Sequence, residues 1–167
     1  MAATDSIRYE VDGPVAVITI DRFDEVRNAI SVPVGVELYR ALRRFESDDE
    51  LSVAVLTGAG GVFSAGFDLK WYARSRRGEV SSPTDAPADA HSMGPTRITL
   101  SKPVIAAVEG YAVAGGLELA CWCDMRVAAH DAVFGVYCRR WGMPLADGGT
   151  VRLTRIVGQA RALDMIL

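Results

Sequence analysis

Twice along this chain an apolar, β-branched run ends in glycines and passes directly into a helix-forming segment, and that recurrence limits the fold more than any other feature. Val53 to Thr57 leads through Gly58-Ala59-Gly60-Gly61 to Phe63-Ser64-Ala65-Gly66-Phe67-Asp68-Leu69, a small-residue turn opening into a helix. Val104 to Val108 leads through Gly110-Tyr111-Ala112-Val113-Ala114-Gly115-Gly116 into the apolar helix Leu117 to Cys123. Runs of this composition read as strands. Ile7 to Val11 and Val15 to Ile20 form a hairpin around Asp12-Gly13-Pro14, and Arg126 to Ala129 extends the series. Between them, Pro33 to Phe45 reads as a helix, with Ser31 as cap, Pro33 in the first turn, and Val34, Leu38, Ala41, Leu42 and Phe45 on one face. Strands alternating with helices predict a layered α/β domain.

The length of 167 residues suits one domain, residues 1–167, with one core. Half of the residues are apolar and 23% are charged, the balance of a folding chain. The net charge of -3 gives no footing for nucleic acid. The one basic cluster, Arg74, Arg76 and Arg77, reads as a solvated helix end or as an anion contact at a pocket mouth. Met1 to Asp12 carries no leader-like apolar run, and no segment has membrane-spanning length. Cys121, Cys123 and Cys138, an odd number in apolar surroundings, suit reduced thiols in a cytoplasmic protein. Neither the C-x-C spacing nor His91 and His130 forms a metal motif, so no metal is expected.

Residues 75–96 are rich in Ser, Pro, Ala and Asp without apolar periodicity, so a loop, expected to be mobile, lies there. It is either a lid-like insertion near a site or a surface excursion. Val151 to Leu167 reads as two short helices broken at Gly158, with Ala162, Leu163, Met165, Ile166 and Leu167 forming an apolar surface with nothing after it to cover it.

The glycines invite a phosphate-loop reading, which fails. A dinucleotide fingerprint needs glycine where Phe63 stands, and a P-loop needs a Gly-Lys-Ser/Thr end. A serine-hydrolase elbow needs glycine at Val62. What remains is two small-residue turns that expose backbone N–H groups, the second at a helix N-terminus. Facing one point, they would put two donors on a thioester enolate oxygen; otherwise they only let helix pack closely on sheet. Glu118 favours the first reading, because a carboxylate flanked on both sides by apolar residues is costly to desolvate and its pKa should rise into the general acid/base range. As a first-turn acid it would merely complement the helix dipole.

Six segments taken together resemble the crotonase superfamily, the enoyl-CoA hydratase/isomerase family. They are Ser64-Ala65-Gly66-Phe67-Asp68-Leu69-Lys70, Lys102 to Gly110, Ala114-Gly115-Gly116-Leu117-Glu118-Leu119-Ala120, Cys123-Asp124, Phe134-Gly135 and Gly148 to Leu153, in the family's order and spacing. The resemblance covers essentially the whole chain. It implies a crotonase-like spiral of β-β-α units, an acyl-CoA substrate without further cofactor, and a homo-oligomer, trimer or hexamer. It makes the backbone N–H groups of Phe67 and Gly115 the oxyanion hole and Glu118 the proton carrier. Val26 and Arg27, in Val26-Arg27-Asn28-Ala29, resemble the loop against the CoA tail; Ser64, Ala65, Asp68 and Leu69 resemble the adenine-side wall, and Phe67 counts among the CoA-binding residues as well.

Two departures qualify the resemblance. Hydratases of the family share the added water between two glutamates; Glu118 matches the first, but the second falls on Cys138, and a thiol is no matched replacement at neutral pH. Asp147 stands where relatives that shift double bonds carry an acid, and is either the missing partner or a turn or cap residue ahead of a helix near Thr150. The family's usual C-terminal helices are also missing, so the chain is a fragment or covers its apolar face by self-association. The expected activity is hydration or isomerisation of an enoyl-CoA; the alternative is a catalytically silent relative that keeps the fold and CoA binding.

Overall fold

The computed structural model describes residues 6–167; Met1 to Asp5, part of the stretch read as lacking a leader, lie outside the described residues. Strands β1 (Ile7–Asp12) and β2 (Val15–Ile20) pair antiparallel from Ile7 opposite Ile20 to Asp12 opposite Val15. β2 then runs parallel to β3 (Val53–Gly58), β3 to β4 (Val104–Val108), and β4 to β6 (Met125–Ala128), giving the order β1-β2-β3-β4-β6. Each predicted strand is present. Helices α1 (Phe23–Val26), α2 (Val32–Ser47), α3 (Leu69–Arg76) and α4 (Gly115–Trp122) intervene, followed by α5 (Gly149–Val157) and α6 (Gln159–Ile166).

The period of two along the strands decides what the sheet buries. Ala16, Ile18, Ile20, Ala54, Leu56, Val104, Ala106 and Val108 face one core, where Val34, Leu38, Leu42 and Phe45 of α2 meet them. Emptying a fully buried position such as Leu42 by truncation to alanine costs about 2–5 kcal/mol. Ser31 does precede α2, in extended conformation, but its side chain makes no capping bond.

Two features depart from the pattern read in the sequence. The second glycine turn contains a strand, β5 (Tyr111–Val113), which pairs parallel with β7 (Val133–Gly135) in a sheet of its own. Three residues are too few to show an alternation. The long loop starts after α3 ends at Arg76 and lies against α2. There Tyr39 Oη donates to Asp89 at 2.6 Å, Arg43 pairs with Asp89 at 2.9 Å and Arg40 with Asp85 at 2.8 Å. Met93 and Thr96 are buried, and a Cβ on Gly35 would lie 2.5 Å from the Ser92 carbonyl, so loop and helix touch backbone to backbone.

The break at Gly158 is as predicted. The terminal apolar face is smaller than the sequence suggests. Ala162 is buried with Leu117, Cys121 and Leu153, and Met165 and Ile166 pack beside them; Leu163 and Leu167 are exposed. Of the basic cluster, Arg74 and Arg77 pair with Glu79 at an exposed helix end. The three cysteines are free and buried. Among the described residues no helix is long and apolar enough to cross a membrane, and no three His, Cys, Asp or Glu side chains cluster as metal ligands would.

Candidate active site

The two glycine turns interlock. Ser64 N donates to Tyr111 O at 2.9 Å and Val113 N to Ser64 O at 3.1 Å. Gly66, at φ 91°, and Gly116 are glycine because the turns meet there: a Cβ would come within 2.8 Å of Val113 O at the first and 2.5 Å of Ser64 O at the second. Ala114, between strand and helix, holds φ 53°, ψ -124°, an unfavourable conformation for a residue with a Cβ. Its N–H donates to Gly135 O at 2.9 Å.

This packing sets two amides side by side. Phe67 forms a bridge with Ile30 in which the flanking residues make the bonds, Ile30 N to Gly66 O at 2.7 Å and Asp68 N to Ile30 O at 2.9 Å, so its own N–H faces the other way. Gly115 is the first residue of α4 and has no carbonyl to donate to within the helix. Among the described residues nothing accepts from either N–H. They are neighbours: a Cβ on Gly115 would lie 3.4 Å from Phe67 N.

Both residues line a cavity of about 270 Å³, together with Glu118, Cys138, Trp141 and Asp147. Glu118, in the first turn of α4, is 2% exposed. Its Oε1 accepts from Asp147 N at 2.8 Å and from Gly149 N at 2.9 Å; neither bond uses Oε2. Burial pushes its pKa above the usual carboxylate value and the charge of Asp147 adds to the rise, while the Gly149, Asp147 and Ala146 amides oppose it. The sequence-based expectation of a buried acid with a raised pKa holds.

Asp147 caps nothing: Gly148, at φ 88°, precedes α5 without a side-chain capping bond. The Asp147 Oδ1 instead accepts from Thr96 Oγ1 at 2.7 Å and meets His91 Nδ1 at 2.6 Å, both from the long loop. His91, dismissed in the sequence as belonging to no motif, thus stands directly behind a residue that lines the site. Its partner is 56 residues away, so no local spacing could have shown it. Cys138 is buried at the cavity wall, where burial and then the charge of Glu118 push its thiol pKa up; it stays neutral.

A second groove of about 750 Å³ adjoins the first, sharing Ala65, Phe67, Leu69 and Trp141. Val26, Arg27, Ala65, Phe67, Asp68 and Leu69 all line it, and Arg27 and Lys70 give it cationic edges. Ser64 does not. It is fully buried, donating to Asn28 O at 2.8 Å and accepting from Gly66 N at 3.1 Å, so it holds the turn in shape. The Asp68 carboxylate is already occupied, by Arg22 at 3.3 Å and by Trp71 N at 2.9 Å, where it caps α3.

Two interlocked glycine turns and a buried acid around one cavity place the chain among layered α/β proteins with an enclosed site, and comparison with known proteins identifies its family. The Enoyl-CoA hydratase/isomerase family model matches residues 10–167. An enoyl-CoA hydratase of Mycobacterium tuberculosis is 38% identical over 162 residues, covering 93% of this chain and 58% of that protein. A mevalonyl-coenzyme A hydratase of Aspergillus fumigatus is 38% identical over 154 residues, 92% of this chain and 55% of its own. The crystal structure of an enoyl-CoA hydratase from Mycobacterium marinum superposes with a TM-score of 0.86 at 38% identity, over 98% of this chain and 61% of that one. The chain therefore belongs to the enoyl-CoA hydratase/isomerase family and has the crotonase fold. It spans less than two thirds of the length of these relatives.

Proposed function

We propose that this chain binds an acyl-CoA thioester and moves a proton at its α carbon, hydrating or isomerising an enoyl-CoA. The observation that carries the reading is the pair of adjacent, unpartnered amides of Phe67 and Gly115 in one cavity with Glu118. An enolate forms when the thioester oxygen gains charge. Two fixed donors stabilise that charge more than they stabilise the ground-state carbonyl, and one such donor is worth about 10²–10³ in kcat. Glu118 Oε2, free of both amide bonds, transfers the proton, and Asp147 is the second acid of the cavity. The adjoining groove takes the CoA portion, with Arg27 and Lys70 toward its phosphates and Val26, Ala65, Leu69 along its apolar parts. The reaction needs no cofactor beyond the thioester.

Glu118→Gln keeps an acceptor for both amides and removes the transferable proton. The loss of enoyl-thioester absorbance should slow by about 10²–10⁴-fold, and a variant as fast as the parent refutes the assignment. A second reading, a silent CoA-binding relative, draws on the neutral thiol of Cys138. It predicts calorimetric binding of CoA and acyl-CoA by the parent with no turnover.

A further inference from the structure

We infer that His91 is a positioning residue for this reaction: through its Nδ1 bond it aims the Asp147 carboxylate into the cavity, where Asp147 takes over the task of the family's second acid, lost at Cys138. This rests on the function proposed above. Glu118 and Asp147 are the only carboxylates lining the cavity among the described residues. Each is fastened by one oxygen alone. Glu118 Oε1 takes the amides of Asp147 and Gly149; Asp147 Oδ1 takes Thr96 Oγ1 and His91 Nδ1. Neither Asp147 Oδ2 nor Glu118 Oε2 is among the buried, unpartnered atoms of the described residues, so each retains open surface beside the cavity its residue lines. The Asp147 N–H to Glu118 Oε1 bond of 2.8 Å locks the two carboxyl groups to one another through the backbone.

The proton inventory of a hydration then closes. Water adds its oxygen to the β carbon and gives one proton to Asp147 Oδ2. Glu118 Oε2 delivers its proton to the α carbon as the enolate electron pair forms the new C–H bond. Asp147 is left protonated and Glu118 ionised, and transfer of that proton back through a water restores both. No oxidant or metal enters. Seating two donors on Oδ1 fixes the carboxylate torsion, so Oδ2 meets the water without a search. Because His91 and Thr96 both come from the loop after α3, the acid is aimed only while that loop lies in place.

His91→Leu removes the donor, and His91→Asn returns an N–H near the Nδ1 position. With crotonyl-CoA, His91→Leu should lower kcat by about 10–100-fold while leaving KM and the thermal midpoint nearly unchanged, and His91→Asn should recover most of the loss. Independently of turnover, imidazole ¹⁵N spectra of the parent should show the Nδ1-protonated ring at His91, a signature that Asp147→Ala abolishes. A parent-like kcat in His91→Leu, or a loss confined to KM and melting, overturns this inference and leaves the proposed function standing. A parent that binds acyl-CoA without turning it over refutes the function and this inference with it.

Discussion

Gly149→Ala tests the seat of Glu118 without touching a charged group. Gly149 is the first residue of α5 and adopts no positive φ, so alanine meets no backbone strain there. The obstacle is the acid itself: a Cβ would lie 2.6 Å from Glu118 Cγ, 2.9 Å from Oε1 and 3.1 Å from Cδ. Carbon atoms rest at about 3.5–4.0 Å, so the side chain must retreat by about 1 Å. Leu117 and Leu119, nearly or fully buried on either side, leave it little room. Overpacking of this kind costs about 1–3 kcal/mol, against which alanine returns up to about 1 kcal/mol of helix propensity. The net, about 0–3 kcal/mol, lowers the melting midpoint by at most about 12 °C at this chain length. A displacement of 1 Å at the reacting group lowers kcat by roughly 100-fold. The assay is enoyl-thioester absorbance at saturating substrate beside a melting curve, with Thr150→Ala, one residue on and exposed, as control. A Gly149→Ala protein that melts lower yet turns over at the parent rate would show that the position of Glu118 does not matter to the chemistry.

Two further outcomes follow from the ionisable groups of the cavity. Glu118 has its folded pKa raised above 4.5, so the native state keeps a proton that the unfolded chain releases. The stability this gives is complete below pH 4.5 and is lost as pH rises through the folded value. The melting midpoint of Glu118→Gln relative to the parent should therefore climb from pH 4.5 toward neutrality, and a difference that stays flat with pH contradicts the burial argument. Cys138, its thiol pKa raised by burial and by Glu118, should alkylate with iodoacetamide at neutral pH more slowly than a free thiol, read by mass spectrometry. Faster labelling than glutathione would mean a thiolate at that wall.

What the sequence disclosed and what it withheld divide along the range of the interactions. The strands of the main sheet were legible because runs such as Val15 to Ile20 carry their own signal, and so was the cost of burying Glu118 among Leu117, Leu119 and Ala120. The six ordered segments showed the family. Strands β5 and β7 escaped because each is three residues long and exists through its partner. Ser64 read as part of the groove, yet its contacts with Asn28 and Gly66 face inward, and only the left-handed turn at Arg27 and Asn28 brings that acceptor to it. His91 lay in a stretch without periodicity. Its meaning depends on a loop crossing α2 to reach Asp147 in the turn before α5, a path set by the Tyr39, Arg40 and Arg43 contacts.

The exchange at Cys138 also has an electrostatic side. Asp147 already contributes to the raised pKa of Glu118 across a cavity of about 270 Å³. A third carboxylate at Cys138, whose thiol already feels the charge of Glu118, would add like charge to a site with little water to screen it. That like charge would oppose ionisation of all three acids together and couple their titrations, so the proton held by Glu118 would no longer be set by Asp147 alone. A neutral thiol returns the number of acids to two, the number shared in the family's hydratases, and moves the second from the wall at Cys138 to the turn before α5. There its orientation comes from loop donors, so on the proposed reading this chain has exchanged an acid held by its own segment for one aimed by His91 and Thr96.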